Sequence, residues 1–464
     1  MRRLALLALL AFPAGAHLGS PDVFFEGTAG GYPLIVTIRP PNVIPGVAEL
    51  EIRSSSPKVT AIRVTPAPLI GEGAKYAPKP EPLTRSKDDA QYFTGSLWLM
   101  ATGSWQVKIY ADGSDGTGEL SVPVAALATQ TKLMDPKLGV LLLALLLLLA
   151  GGLIAIAGAG AGEGQVEPGI DAGPRERGRA RVVMAFVAVL LAAMIWGGNA
   201  WWTAEANAYG GYVFKPLAMD AQVDGSTGQM KLAITESGWS RRRKTDDFVP
   251  DHNHLMHLYM LRMPQMDQAW HLHPSQEAGS TFVQQLPELA AGRYQLFADV
   301  VHRDGLPETM VASLDLPSAI TGQPLQGDDA SGPEPGKYRV TLLSEGPFEP
   351  RKPSPLRFKL VDAEGHAARD MELYMGMLGH AAFIKKDGTV FAHVHPSGSV
   401  PMATLAIAQK ADPHAGHAIA GDGGGLPSEV AFPYGFPNAG QYRIVVQMKA
   451  AGKVYTGIFD AEVH

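Results

Sequence analysis

The chain has 464 residues, 46% of them hydrophobic and 18% charged, with a net charge of −6 and no cysteine. Without thiols there is no disulfide framework, thiolate zinc site, iron–sulfur cluster or cysteine nucleophile. An acidic balance with no long basic run excludes nucleic acid as the main partner.

The N-terminus reads as an export signal. Met1-Arg2-Arg3 gives a positive start, Leu4 to Phe12 an apolar stretch too short to span a bilayer, and Ala14-Gly15-Ala16 the small residues that a signal peptidase accepts. Residues 1–16 are expected to be removed, leaving His17 first; an uncleaved anchor is the alternative. Residues 17–130 then form a first extracytoplasmic domain. Two membrane spans follow, 138–161 with Leu145 to Leu149 and no charge, and 182–202 with Trp196, Trp201 and Trp202 where an aromatic belt belongs. Between them, 162–181 reads as a loop carrying Arg175, Arg177, Arg179 and Arg181. By the positive-inside rule that loop is cytoplasmic, which puts both flanking regions outside and agrees with the export signal. The expected location is a bacterial inner membrane with the large domains on the periplasmic side.

Three stretches share one pattern: Gly103 to Tyr110, Gly292 to Asp299 and Gly440 to Gln447. Each is a glycine turn followed by alternating apolar and polar residues, the period-2 mark of a half-buried strand. Earlier runs such as Leu34 to Ile38, Met230 to Ile234 and Leu356 to Leu360 fit the same scheme. The fold expected is mainly β: three immunoglobulin-like β-sandwiches, 17–130, 205–320 and 337–464, with a two-helix transmembrane hairpin between the first and second. A polar linker, 322–336, joins the last two, and a second polar stretch, Gln409 to Ser428, reads as a surface loop.

Thirteen of the 14 histidines follow the second span. His257, then His271-Leu272-His273-Pro274-Ser275, repeats as His380, then His393-Val394-His395-Pro396-Ser397. On a hairpin, His-x-His places two imidazoles on one face of a strand, with a third across from them on its neighbour. Three converging neutral imidazoles suit a transition metal. His257, His271 and His273 form one candidate metal set, and His380, His393 and His395 the other. Auxiliary ligands stand at matching positions upstream: His252 and His254 in the first set, Met375 and Met377 in the second. Exchange of imidazole for thioether is natural for copper, whose oxidised ion prefers nitrogen and whose reduced ion accepts sulfur; zinc and nickel stay open. The plainer reading is that the methionines pack a core and the histidines hold turns. His414 and His417 read as solvated loop residues, and His17 as the start of a brace site if cleavage follows Ala16.

Around Met256 to Leu258, His271 to Pro274 and Gly292 to Val300 the chain resembles bacterial extracytoplasmic YtkA-like and FixH-like β-sandwich domains. The resemblance covers the second and third units and implies a setting of heavy-metal handling. The first unit shares only strands with that pattern and lacks the histidines. No Gly-x-Ser-x-Gly elbow, Walker loop or His-Glu-x-x-His is present, so an enzyme is not expected. The expected partners are the membrane and a metal donor, metal acceptor or other envelope protein. A scaffold for envelope or respiratory-complex assembly is the alternative function.

Overall fold

Alternating residues become strands throughout the computed structural model, which describes residues 22–239, 243–332, 336–409 and 425–464. The signal segment 1–16, His17, His414 and His417 lie outside the described residues. The chain divides into two units, 130–213 and the remainder.

In the larger unit, three pairs of antiparallel sheets each enclose a hydrophobic core. The first pair sets β1 (Val23–Ala29), β2 (Tyr32–Arg39), β3 (Gly46–Ser54) and β5 (Tyr92–Leu99) against β4 (Val59–Pro68), β6 (Gly103–Gly113) and β7 (Gly116–Ala126).

The smaller unit is two helices, α1 (Pro136–Ala161) and α2 (Pro174–Gly210), both long and apolar enough to cross a membrane. Each begins on a proline, whose fixed φ suits the first helical position. Asp135 caps α1 by accepting from the backbone N–H of Lys137 and Leu138. Gly158 lies where a Cβ would strike the Met184 side chain, so its lack of a side chain lets the helices approach. α2 starts earlier than the span expected at 182–202, which puts Arg175, Arg177, Arg179 and Arg181 on a helix instead of in a loop. It also runs beyond 205, so the second sandwich starts later than expected. Its 37 residues reach about 56 Å, well past ~30 Å of hydrocarbon.

The second pair of sheets joins β8 (Ala218–Asp224), β9 (Gln229–Thr235), β12 (Ser275–Ala278) and β13 (Thr281–Gln285) to a sheet ordered β11-β10-β14-β15. Its strands are β10 (His257–Met263), β11 (Ala269–Leu272), β14 (Gly292–His302) and β15 (Pro307–Leu316). The third pair repeats it: β16 (Arg339–Leu342), β17 (Ser354–Val361) and β20 (Glu429–Tyr434) face a sheet ordered β19-β18-β21-β22. There β18 is His380–Lys385, β19 Phe391–Val394, β21 Gly440–Ala450 and β22 Lys453–Val463.

These two matching sheets are buried on both faces. Leu258 and Met260 point into their own sandwich, while Tyr259, Leu261, Ala269 and Phe297 form a separate core with Ala382, Ile384, Phe391 and Val445 of the third sandwich. The half-buried pattern expected for these strands is corrected: their outer face meets the other sandwich, not water. Phe297 and Phe391 stack at the centre of this contact, 4.6 Å apart and nearly parallel.

The segment after His395 ties in the first sandwich. The backbone of β1 pairs with residues 397–399, Glu26 N–H donating to Ser397 O at 2.8 Å and Ser399 N–H to Phe24 O at 2.9 Å. The following helix α3 (Met402–Gln409) sinks Leu405 into the core of the first sandwich. The linker expected at 322–336 is also more than a spacer, since Ser331–Gly332 pairs in parallel with β22.

Candidate metal centre

Two tight turns start the site. Asp251 and His254 exchange both backbone hydrogen bonds, 2.8 and 2.9 Å, around His252 and Asn253 at φ 49° and 70°. Tyr374 and Met377 do the same, at 2.7 and 3.1 Å, around Met375 and Gly376 at φ 49° and 79°. Positive φ at both central positions is the hairpin geometry that favours Asn and Gly. Each turn delivers the chain to the first residue of a strand, His257 or His380. β11 and β19 then carry His271 and His393, with His273 and His395 just beyond the strand ends.

Within the second sandwich, His257, His271 and His273 bring ligand nitrogens to within 4.8 Å of one another. Each ring has its other nitrogen engaged. His257 Nε2 lies 3.0 Å from Asp251 O, His271 Nδ1 3.0 Å from Gln447 Oε1, and His273 Nδ1 2.6 Å from Asp329 Oδ1. All three partners are acceptors, so each ring donates there and keeps its lone pair on the opposite nitrogen. His257 Nδ1 and His271 Nε2 face each other 3.1 Å apart. His273 Nε2 is buried with no hydrogen-bond partner among the described residues. Three ring nitrogens grouped this closely, with the other nitrogen of each ring against an oxygen, could hold a metal ion.

The third sandwich builds the counterpart. His380 Nε2 donates to Tyr374 O at 3.2 Å, and its Nδ1 lies 3.2 Å from His393 Nε2. His393 Nδ1 faces Asp299 Oδ2 at 3.5 Å, and His395 Nδ1 donates to Val400 O at 3.4 Å. The close group here is His252, His380 and His395, the first coming from the second sandwich. Expected as an auxiliary of the first set, His252 therefore sits with the second. Its Nε2 is buried with no hydrogen-bond partner among the described residues, and its ring is hydrogen-bonded to the Met375 backbone. His393, expected among the second set, stays bonded to His380 and lies between the groups, its ring centroid 5.3 Å from that of His257. His254 stacks on His273 at 3.9 Å and pairs with Asp328 at 3.2 Å, at the edge of the first group. Met377 is buried.

The contacts between sandwiches are reciprocal. His271 of the second reaches Gln447 of the third, and His393 of the third reaches Asp299 of the second. Asp299 and Gln447 hold the same place in their sheets, opposite His257 and His380 respectively. The two sandwiches are thus related by an approximate two-fold axis through the histidines.

Burial keeps these rings neutral. It is the largest cause holding His257, His271 and His380 well below the ordinary histidine range, and repulsion from neighbouring imidazoles adds to it. His273 and His252 are also lowered by burial, partly offset by Asp329 and Asp251. A neutral imidazole is the form that binds metal. His302 behaves oppositely: burial would lower it, but hydrogen bonds to Glu308 and Asp247 at 3.1 and 2.7 Å raise it above the usual value. Both its nitrogens are engaged, so it belongs to a structural ion-pair network.

The orienting residues Asp329, Asp328, Gln447 and Asp299 have no local signal at the histidines. Gln447 and Asp299 could have been found by aligning the repeated strands, and the aspartate pair by its adjacency in a linker without a basic residue. A further group, Asp362, Glu364 and His366, lies on an exposed turn.

The site defines a paired-sandwich protein with a shared buried histidine cluster. Residues 207–315 and 333–464 match the model of a domain of unknown function, DUF8832. The match takes in both histidine-bearing sandwiches and just over half of the chain, which therefore belongs to this family. No curated protein matches the sequence. Among solved structures, a tetra-tandem repeat in the extending region of a large adhesion protein is 10% identical, covers 91% of this chain and 71% of its own, and has a TM-score of 0.17. Dimeric latent PorU from Porphyromonas gingivalis is 9% identical over 96% of this chain and 34% of its own, with a TM-score of 0.15. Escherichia coli alpha-2-macroglobulin activated by porcine elastase is 10% identical over 95% and 31%, with a TM-score of 0.18. The chain spans about a third of the last two, and scores this low carry no argument.

Proposed function

We propose that this chain is a membrane-anchored, extracytoplasmic metal-binding protein, that its metal is copper, and that it serves sensing, buffering or delivery to a partner protein. The three sheet pairs are read as immunoglobulin-like sandwiches. α1 and α2 are read as crossing a bacterial inner membrane, with the arginines at the start of α2 on the cytoplasmic side. The observation that carries the metal reading is the close grouping of ring nitrogens on His257, His271 and His273, with the other nitrogen of each ring against an oxygen. Nitrogen ligands in a thiol-free chain suit copper, zinc or nickel. Copper is favoured by the repeat, in which Met375 stands at the turn position that His252 holds in the second sandwich. A thioether there would tolerate the reduced ion.

Titration of the full chain in detergent with Cu(II) and with Cu(I) tests this. Saturable binding is expected, lost in a His257→Ala, His273→Ala, His380→Ala, His395→Ala variant that keeps its unfolding midpoint within a few degrees. Binding no tighter than that of surface histidines sinks the reading. Unchanged metal content with loss of a co-purifying envelope protein would favour the assembly scaffold instead.

A further inference from the structure

We infer that the cluster is a dinuclear centre, in which two copper ions lie side by side and the second is held by both sandwiches at once. This rests on the metal-binding reading and goes beyond it in the number and placement of the ions.

There are two separate groups of three histidines, each with ligand nitrogens within 4.8 Å. The closest nitrogen pair of the first group, His257 Nδ1 to His271 Nε2 at 3.1 Å, is close to the ~3.3 Å edge of a tetrahedron with ~2.0 Å metal–nitrogen bonds. The first group is complete within the second sandwich. The second needs His252, which crosses from the turn before β10 to stand 5.0 Å, ring to ring, from both His380 and His395.

The groups adjoin. Rings of opposite groups approach to 6.1 Å for His252 and His257 and 6.0 Å for His271 and His380. Separations inside a group are 4.6 to 5.3 Å, so no apolar layer divides them. Two cations this close and this buried would repel strongly if only neutral imidazoles surrounded them. Four carboxylates lie around the cluster to offset that charge. Asp328 and Asp329 act on His254 and His273 beside the first group. The buried Asp251 acts on His252 of the second, and Asp299 faces His393 between them.

The test loads the full chain in detergent with Cu(II) against a competing chelator that strips loosely held ions, and measures bound copper together with the integrated electron paramagnetic resonance signal. Two tightly held ions per chain are expected, with the signal broadened or falling below two spins as the second enters. His252→Asn should lose one ion and the coupling and leave the other ion with an isolated spectrum; asparagine tolerates the positive φ of that turn. His395→Gln should do the same and serves if the turn variant fails to fold. No tight ion at all sinks the metal reading itself. One ion, unaffected by His252→Asn, leaves that reading standing and overturns the dinuclear centre. Two ions with full, unbroadened intensity overturn their adjacency, and two ions retained in both variants overturn the interdomain placement.

Discussion

His257, His271 and His380 lie fully out of water, where a charged imidazole loses its hydration without gaining a counter-charge. In the unfolded chain each takes up a proton near pH 6.5, while in the folded protein it does so only at lower pH. Between those values the unfolded state holds more protons. Their contribution to stability is therefore intact above about pH 6.5 and falls as the pH drops, by roughly 1.4 kcal/mol per unit for each histidine taken alone. His302 has the opposite sign: its value is raised, so its contribution is present below the ordinary value and is lost as pH rises through the raised one. Several rings outweigh one, and the metal-free protein is expected to unfold several degrees lower at pH 5 than at pH 7.5. A melting midpoint that is flat or rises toward pH 5 would show that the cluster is not buried in neutral form. At this scale the sequence revealed the strand-borne histidines, because period-2 spacing fixes which side chains share a face. It did not reveal that His252 serves the other sandwich, because a turn residue's reach depends on what packs against it.

Among the elements, the segment after His395 touches all three sandwiches. Gly398 sits at φ 126° with its backbone against β1, and an added Cβ would lie 1.9 Å from Phe24 O. Phe24 belongs to the core of the third sandwich while its neighbour Phe25 belongs to the first. α3 then binds the second sandwich, Ala403 N–H donating to Asp251 Oδ1 at 2.7 Å and Thr404 Oγ1 to Gly305 O at 3.2 Å. Gly398→Ala is expected to lower stability by about 2 kcal/mol or more, through strain and a parted strand pair. Gly388→Ala, at φ 75° with open space around it, should cost only ~1 kcal/mol. Thermal unfolding of both variants checks this, and equal effects would mean that the β1 contact contributes nothing. Strands and both apolar helices were legible as patterns; this clasp was not. Pairing between Phe24 and Ser399 links positions 375 residues apart with no motif at either end.

For the whole molecule, the absence of cysteine gives a clean test of orientation. A lone cysteine at Ser226→Cys should react with a membrane-impermeant maleimide in intact spheroplasts, and one at Ile170→Cys only after permeabilisation; the reverse pattern would invert the proposed topology. The approximate two-fold has a consequence for assembly. A self-complementary contact, in which each side offers the other the same surface, is what two identical subunits form when they dimerise. Here both halves belong to one chain, joined by a linker whose aspartates also orient the histidines. The encounter that a one-sandwich protein would have to make in solution is already made. The shared cluster therefore forms at any dilution, and its halves, being covalently joined, were free to differ, as Met375 and Asp299 differ from His252 and Gln447.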